Sequence, residues 1–185
     1  MTVNPNSTMK IIFVVCIFAS YLLKTVQIER EEEILIPGVS ASKVVGYVGD
    51  WNNHKNLNPH ILDWSIEDIE NVSSDQTILR SYRLTYTELY EHIPWLMNTA
   101  EGLVTVIHKG DNDLQMISSH STCLLPLGLW CLNSQALNTF SQRGEDTRMT
   151  EAVKVECPWL LSPLCSWELQ TQRSKVLRNI QYTKF

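Results

Sequence analysis

The run Lys-Val-Val-Gly-Tyr-Val at residues 43–48 (KVVGYV) decides the expected fold, because β-branched and aromatic side chains dominate it. Short runs of this kind are typical of buried β-strands. The segment that follows, residues 50–58, is polar and rich in asparagine, as expected for a loop. The sequence therefore predicts a buried first strand that leads into an exposed connection.

A helix and two more strands are expected after this strand. Asn58 and Pro59 are residue types preferred at the N-cap and first position of a helix, and apolar residues recur at helical spacing up to residue 71. Residues 78–86 and 103–107 are further β-rich runs, with a short helix expected between them. The alternation predicts an α/β fold with a parallel β-α-β start over residues 43–110.

The pattern weakens beyond Gly110. Residues 123–132 and 153–167 are apolar without a clear period, and both contain proline. Residues 170–185 are polar and basic, so this end of the chain is expected to fray. We therefore expect residues 111–185 to be an irregular region, rich in cysteine and tryptophan, whose fold the sequence leaves open.

Cysteine usage favours two disulfides in this region. The cysteines concerned are Cys123, Cys131, Cys157 and Cys165. An even number in an exported chain favours disulfides, but three connectivities are possible and the sequence does not choose among them. Free thiols and a zinc site are the alternatives, although the C-x7-C spacing is wider than zinc sites usually use.

The N-terminal end has the features of a secretory signal. Residues 11–23 form an apolar run flanked by Lys10 and Lys24, and thirteen helical residues span roughly 20 Å, less than the ~30 Å of a bilayer core. We therefore predict a signal peptide over residues 1–27, an acidic linker over residues 28–42, and a secreted, extracellular protein. An uncleaved signal anchor, which would add a membrane as a partner, and a buried cytosolic segment are the alternatives.

Other motifs narrow the function. Asn71 begins an Asn-Val-Ser triplet and is a glycosylation acceptor in an exported chain. The formal net charge of −5 argues against nucleic acid as a partner. The five histidines have no metal-ligand spacing, and no phosphate-binding or dinucleotide motif occurs, so neither a metal nor a cofactor is expected.

The run KVVGYVGDW at residues 43–51 resembles the first strand of family 18 glycoside hydrolases, the chitinases and chitinase-like lectins. Residues 64–70 are similar to that family's aromatic-x-x-E-D-I-D segment, and residues 103–107 stand where its third strand would fall. The resemblance covers residues 43–110 and implies a fragment of a (β/α) barrel. It also implies that Tyr47 and Trp51 contact an N-acetylated oligosaccharide.

The same resemblance argues against catalysis, because the family's D-x-x-D-x-D-x-E motif is absent from the sequence. Without that motif the sequence lacks the glutamic acid that protonates the leaving group. The expected protein is a secreted, non-catalytic glycoprotein with a chitinase-like sugar site, or one that binds another extracellular protein. A glycoside hydrolase with unidentified acid residues is an alternative.

A second resemblance gives a further alternative. Residues 66–71 and 79–84 are similar to a helix and strand in the first lobe of type I periplasmic-binding-like receptor ectodomains. That similarity implies a fragment of a receptor that binds small ligands. Both resemblances imply a β-α-β start.

Overall fold

The computed structural model describes residues 24–69, 78–92, 97–108, 113–123 and 131–185. Within these ranges, seven strands form one antiparallel sheet in the order β1-β7-β6-β5-β4-β3-β2. The elements in chain order are β1 (Thr25–Ile36), α1 (Ala41–Val48), α2 (His54–Leu57), β2 (Ile61–Asp68), β3 (Ile78–Leu89), β4 (Met97–His108), β5 (Asp113–Cys123), β6 (Cys131–Arg143), β7 (Asp146–Pro158) and α3 (Ser162–Tyr182).

The helices cover one side of the sheet, which we call the inner face. Because side chains alternate along a strand, every second residue points to this face, as Tyr82 and Leu84 do on β3. The long helix α3 buries Val176, Leu177 and Ile180 in the same core. Strands β1 and β2 lie at opposite edges of the sheet, so the chain between them, with α1 and α2, crosses from one edge to the other.

The predicted α/β fold with a parallel β-α-β start is wrong, because all six strand pairs in the described part of the chain are antiparallel. Residues 43–48 belong to helix α1, which buries Val44, Val45 and Val48 on one face. A four-residue spacing of valines supports a helix as well as a strand. Residues 61–68, expected to be helical, form strand β2, in which Ile66 pairs with Leu84 of β3.

The described residues beyond position 110 form regular structure, so the expectation of an irregular region is wrong. Strands β5, β6 and β7 continue the sheet, and α3 spans 21 residues where fraying was expected. Small and polar residues such as Ser134, Ala136 and Asn138 occupy the inner face of β6, so its hydrophobicity does not alternate. Gly144, with a φ of 64°, makes the tight turn into β7.

The acidic segment at residues 28–42 is not a linker, because most of it forms strand β1. This strand pairs with β7, and exposed ion pairs cross the ladder, Glu29 with Lys154 and Glu33 with Arg148. Residues 25–27, assigned to the signal peptide, also lie in β1, whereas residues 1–23 lie outside the described residues. The predicted glycosylation site at Asn71 lies outside them as well.

Two disulfides are present, and their pairing answers what the sequence left open. Cys123 and Cys131 occupy paired positions on β5 and β6, and the bridge joins these strands. Cys157 near the end of β7 is bonded to Cys165 in the first turns of α3. Disulfides are typical of oxidising compartments. None of the helices in the described ranges combines the length and apolar character that a membrane span requires.

Candidate functional site

A cavity of about 250 Å³ lies between the inner face of the sheet and helix α3. This volume is just below the ~300–1,000 Å³ range of small-molecule pockets. Aromatic and apolar side chains from three regions of the chain form much of its wall, among them Trp51, Tyr82, Tyr86, Tyr90 and Met116. The cavity is therefore shaped for a small molecule with a largely apolar body.

One ion pair, buried at its carboxylate and partly exposed at its guanidinium group, crosses the site from helix to sheet. Arg173 of α3 donates from Nε to Glu151 Oε2 of β7 at 2.8 Å, and its Nη2 donates to the other carboxylate oxygen. Glu151 is only 2% exposed. Burial opposes the charge on Arg173, but the Glu151 carboxylate outweighs it and the pKa of Arg173 is raised. Arg173 therefore stays charged, and its hydrogen bonds to Glu151 join α3 to the sheet.

A second carboxyl group on the cavity wall has weaker partners. Glu88 of β3 accepts hydrogen bonds from Asn98 Nδ2 at 3.3 Å and Asn58 Nδ2 at 3.4 Å. Burial is the largest influence on this group and raises the pKa of Glu88, whereas the two amides and Arg173 lower it. Glu88 is thus a carboxyl group that a cation would stabilise in its ionised form.

Two histidines and two aromatic rings form one cluster on the wall. The His54 ring stacks on Trp51 with centroids 3.8 Å apart, and the His120 ring meets Tyr86 edge to face at 5.6 Å. His54 Nε2 donates to the Val48 carbonyl at 2.7 Å. Burial lowers the pKa of both histidines to about 4. Both rings are therefore neutral near pH 7.

Gly102 explains why His120 fits against the sheet. The two residues face each other on β4 and β5, and a Cβ at position 102 would lie 2.3 Å from His120 Nδ1 and 2.8 Å from the Ser119 carbonyl oxygen. Both distances are shorter than real contacts. The missing side chain therefore lets the imidazole ring lie over the neighbouring strand.

Four buried polar atoms of the wall have no hydrogen-bond partner among the described residues. They are Trp51 Nε1, Asn98 Oδ1, Asn138 Oδ1 and His120 Nδ1. Buried polar groups without partners are rare, since each costs about 1–3 kcal/mol. Because Asn98 Nδ2 already donates to Glu88, the Asn98 Oδ1 atom is left as a free acceptor. The residues that carry these atoms line the cavity, so its wall contains polar groups as well as ring faces.

The two residues expected to bind sugar, Tyr47 and Trp51, do not lie together in one site. Tyr47 lies on helix α1, not on a strand, and its ring packs edge to face against Phe185 at 5.3 Å. Trp51 is buried at 8% exposure and lines the cavity. The site residues that the sequence prediction missed are Glu88, Asn98, Glu151 and Arg173. A detectable signal existed for Glu151, which interrupts the alternating apolar row Met149, Glu151, Val153 of β7.

No protein-family model matches the sequence, and no curated protein is significantly similar to it. Solved structures are similar in fold. A hypothetical protein from Helicobacter pylori matches with a TM-score of 0.59 at 10% identity, over 83% of this chain and 85% of that one. A START superfamily protein from Mycobacterium smegmatis matches with a TM-score of 0.54 at 11% identity, over 83% and 94%.

The di-domain ARO/CYC protein StfQ from the steffimycin biosynthetic pathway matches with a TM-score of 0.55 at 11% identity, over 84% of this chain and 50% of that one. These similarities overturn the resemblances to family 18 glycoside hydrolases and to receptor ectodomains. The inferred chitinase-like sugar binding and the implied barrel fragment are wrong, since the fold that suggested them is absent. The chain has the helix-grip, Bet v 1-like fold shared by START-type and cyclase-type structures.

Proposed function

We propose that this protein binds a small, mainly apolar organic molecule in the cavity between the sheet and α3. The observation that carries the proposal is the cavity wall, which combines ring faces with four buried polar atoms that lack partners among the described residues. Ligand sites typically have this composition, with a few polar groups set in an apolar wall to orient the ligand. The similarity to a START superfamily structure and to StfQ supports a ligand-binding fold.

Cyclase-like chemistry on the bound molecule is a second candidate, favoured by Glu88. A half-buried carboxyl group on a cavity wall, with a raised pKa, is a candidate general acid or base. The imidazoles of His54 and His120 lie on the same wall, but burial lowers their pKa values to about 4 and makes them weak bases, so Glu88 is the candidate proton carrier. Mass spectrometry of a ligand before and after incubation separates the candidates, because a binding protein returns it unchanged.

Filling the cavity should abolish binding. Ser118 lies on the inner face of β5 and is buried, whereas its neighbour Ser119 is exposed on the outer face. The ligands to test are small aromatic compounds that raise the melting temperature of the wild type. We expect Ser118→Phe to lower the affinity for these compounds by at least about tenfold, which corresponds to 1.4 kcal/mol. Ser119→Phe, the matched control, should bind as the wild type does.

The comparison is made by a thermal-shift screen of small aromatic compounds followed by calorimetric titration. Circular dichroism shows whether Ser118→Phe is folded, and Ala136→Leu, at the position paired with Ser118, is a milder second blocking variant. Equal binding by both inward variants and the wild type would place the ligand elsewhere and contradict the proposal. A screen without any stabilising compound would also count against it.

We propose further that the protein is secreted. Its two disulfides are consistent with an oxidising compartment. Strand β1 begins at Thr25, and the Lys24 carbonyl accepts a hydrogen bond from Trp159 N at 2.9 Å. Cleavage inside β1 would remove this hydrogen bond and the first residue pairs between β1 and β7. Signal cleavage is therefore expected at or before residue 24.

N-terminal sequencing of protein from the medium of secreting cells tests this expectation. The mature chain should begin between about residues 20 and 24 and should lose mass on enzymatic removal of N-glycans if Asn71 is modified. Full-length protein recovered only from the cytosol, with Met9 still present, would show that the chain is not exported.

A further inference from the structure

We propose that the ligand is a small aromatic amine whose ammonium group is held by Glu88 and Asn98. This inference rests on the proposed function, because it concerns the occupant of the same cavity. The juxtaposition that carries it is a half-buried carboxyl group, without an ion-pair partner among the described residues, beside a buried amide oxygen that has no donor among them. Glu88 and Asn98 face each other on β3 and β4.

Glu88 is the acidic group of the wall that lacks a firm partner. Its hydrogen bonds with the described residues come from two amides, at 3.3 and 3.4 Å, which is long for a charge-assisted bond. Arg173 is near enough to influence it, but the hydrogen bonds of Arg173 go to Glu151. Within the described ranges, Glu88 forms no salt bridge. A bound cation would supply one.

Asn98 points to the same ligand chemistry. The residue is 6% exposed, and its Oδ1 atom, an acceptor, has no donor among the described residues. Its Nδ2 atom donates to Glu88, which fixes the orientation of the amide. An ammonium group has donors and no acceptor, so one group can satisfy both the carboxylate and the amide oxygen.

The charges around the cavity also favour a cation. The acidic residues that line it are Glu88, Glu156 and Glu168, and the permanently charged cation that lines it, Arg173, is neutralised by Glu151. Glu156 is bonded to the main chain and side chain of Asn133, and Glu168 to the Glu91 and His92 segment. Acidic groups therefore exceed cations, and an anionic ligand would be repelled.

Aromatic rings on the wall suit the rest of such a ligand. Trp51, Tyr86 and Tyr90 line the cavity; Tyr86 lies on the same strand as Glu88, and Tyr90 follows the end of that strand directly. Ring faces attract a cation and also pack against an aromatic body. An arylalkyl amine combines both features within a small volume.

Three probes with one aromatic body and different charges test the inference. They are 2-phenylethylamine, 2-phenylethanol and phenylacetate, which near pH 7 are cationic, neutral and anionic. Calorimetric titration of the wild type should show the amine binding at least tenfold more tightly than the alcohol, with phenylacetate weakest. Glu88→Gln should remove the preference for the amine and leave the affinity for the alcohol unchanged.

Glu101→Gln is the matched control, since Glu101 lies exposed on β4, the neighbouring strand, and should bind the amine as the wild type does. Asn98→Ala is a second variant, to be used if Glu88→Gln does not fold. It should lower the affinity for the amine several-fold. The wild-type ranking alone can overturn the inference. Equal binding of amine and alcohol, or tighter binding of phenylacetate, would refute the amine assignment and leave the proposed function standing.

The protein could also bind none of the three probes but bind other compounds, with Ser118→Phe blocking that binding. This result would likewise refute the amine assignment and leave the proposed function standing. A different result would contradict the proposed function itself: no compound would be found whose binding is weakened by Ser118→Phe or Ala136→Leu. The two ideas can therefore fail separately.

Discussion

Arg173→Met is expected to lower the free energy of unfolding by about 3–5 kcal/mol, because it leaves the Glu151 carboxylate buried without its partner. Glu151 is 2% exposed, and its hydrogen bonds with the described residues come from Arg173. Urea denaturation of the variant and the wild type measures the loss.

The double variant Arg173→Met/Glu151→Leu serves as the control. Replacing both members of a buried pair by apolar residues is often neutral, so the double variant should recover most of the stability. If the double variant were as unstable as the sum of the single variants, the effect would come from packing. In that case the pair would not be the connection between α3 and the sheet that the structure indicates.

Trp51→Ala should cost about 3–5 kcal/mol of stability, since it removes a large buried ring from the core. The ring is 8% exposed, stacks on His54 and contacts Tyr86. Thermal and urea denaturation followed by circular dichroism measure the change. Because the ring also forms part of the cavity wall, the variant should in addition lose affinity for aromatic ligands.

Trp167→Ala provides the comparison for this prediction. Trp167 is 54% exposed and contacts His92 at the surface of α3. The loss of stability in Trp167→Ala should therefore be much smaller than that in Trp51→Ala. A Trp51→Ala variant as stable as Trp167→Ala would show that the Trp51 ring is not a structural part of the wall. Its role would then lie in the ligand site alone.

The strands that sequence patterns located correctly are those with a clear apolar or β-branched bias. Residues 78–86 and 103–107 lie in β3 and β4. Local pattern failed at residues 43–48, where a run of valines serves a helix, and at residues 61–68, where an edge strand resembles an amphipathic helix. Both errors came from short segments whose periodicity fits either structure.

The candidate site was harder to predict because the cavity changes the usual pattern. Inward positions of β5 and β6 carry Ser118, Ser134 and Asn138 instead of large apolar residues, since they face a space rather than a packed core. Pairing of Glu151 with Arg173, which are 22 positions apart, depends on how α3 returns over the sheet. The spacing of the two residues in the sequence does not predict this contact between α3 and the sheet.

The position of β1 has a consequence for the order of folding. Strands β2 to β7 each pair with a neighbour in sequence, whereas β1 pairs with β7, joining Thr25 to Pro158. The first strand to be synthesised is therefore the last that can find its partner, and this long-range contact is the slow one. Until it forms, β7 has an unpaired edge that can attach to another chain. Mutations that weaken the β1–β7 ladder should thus appear first as aggregation of newly made protein.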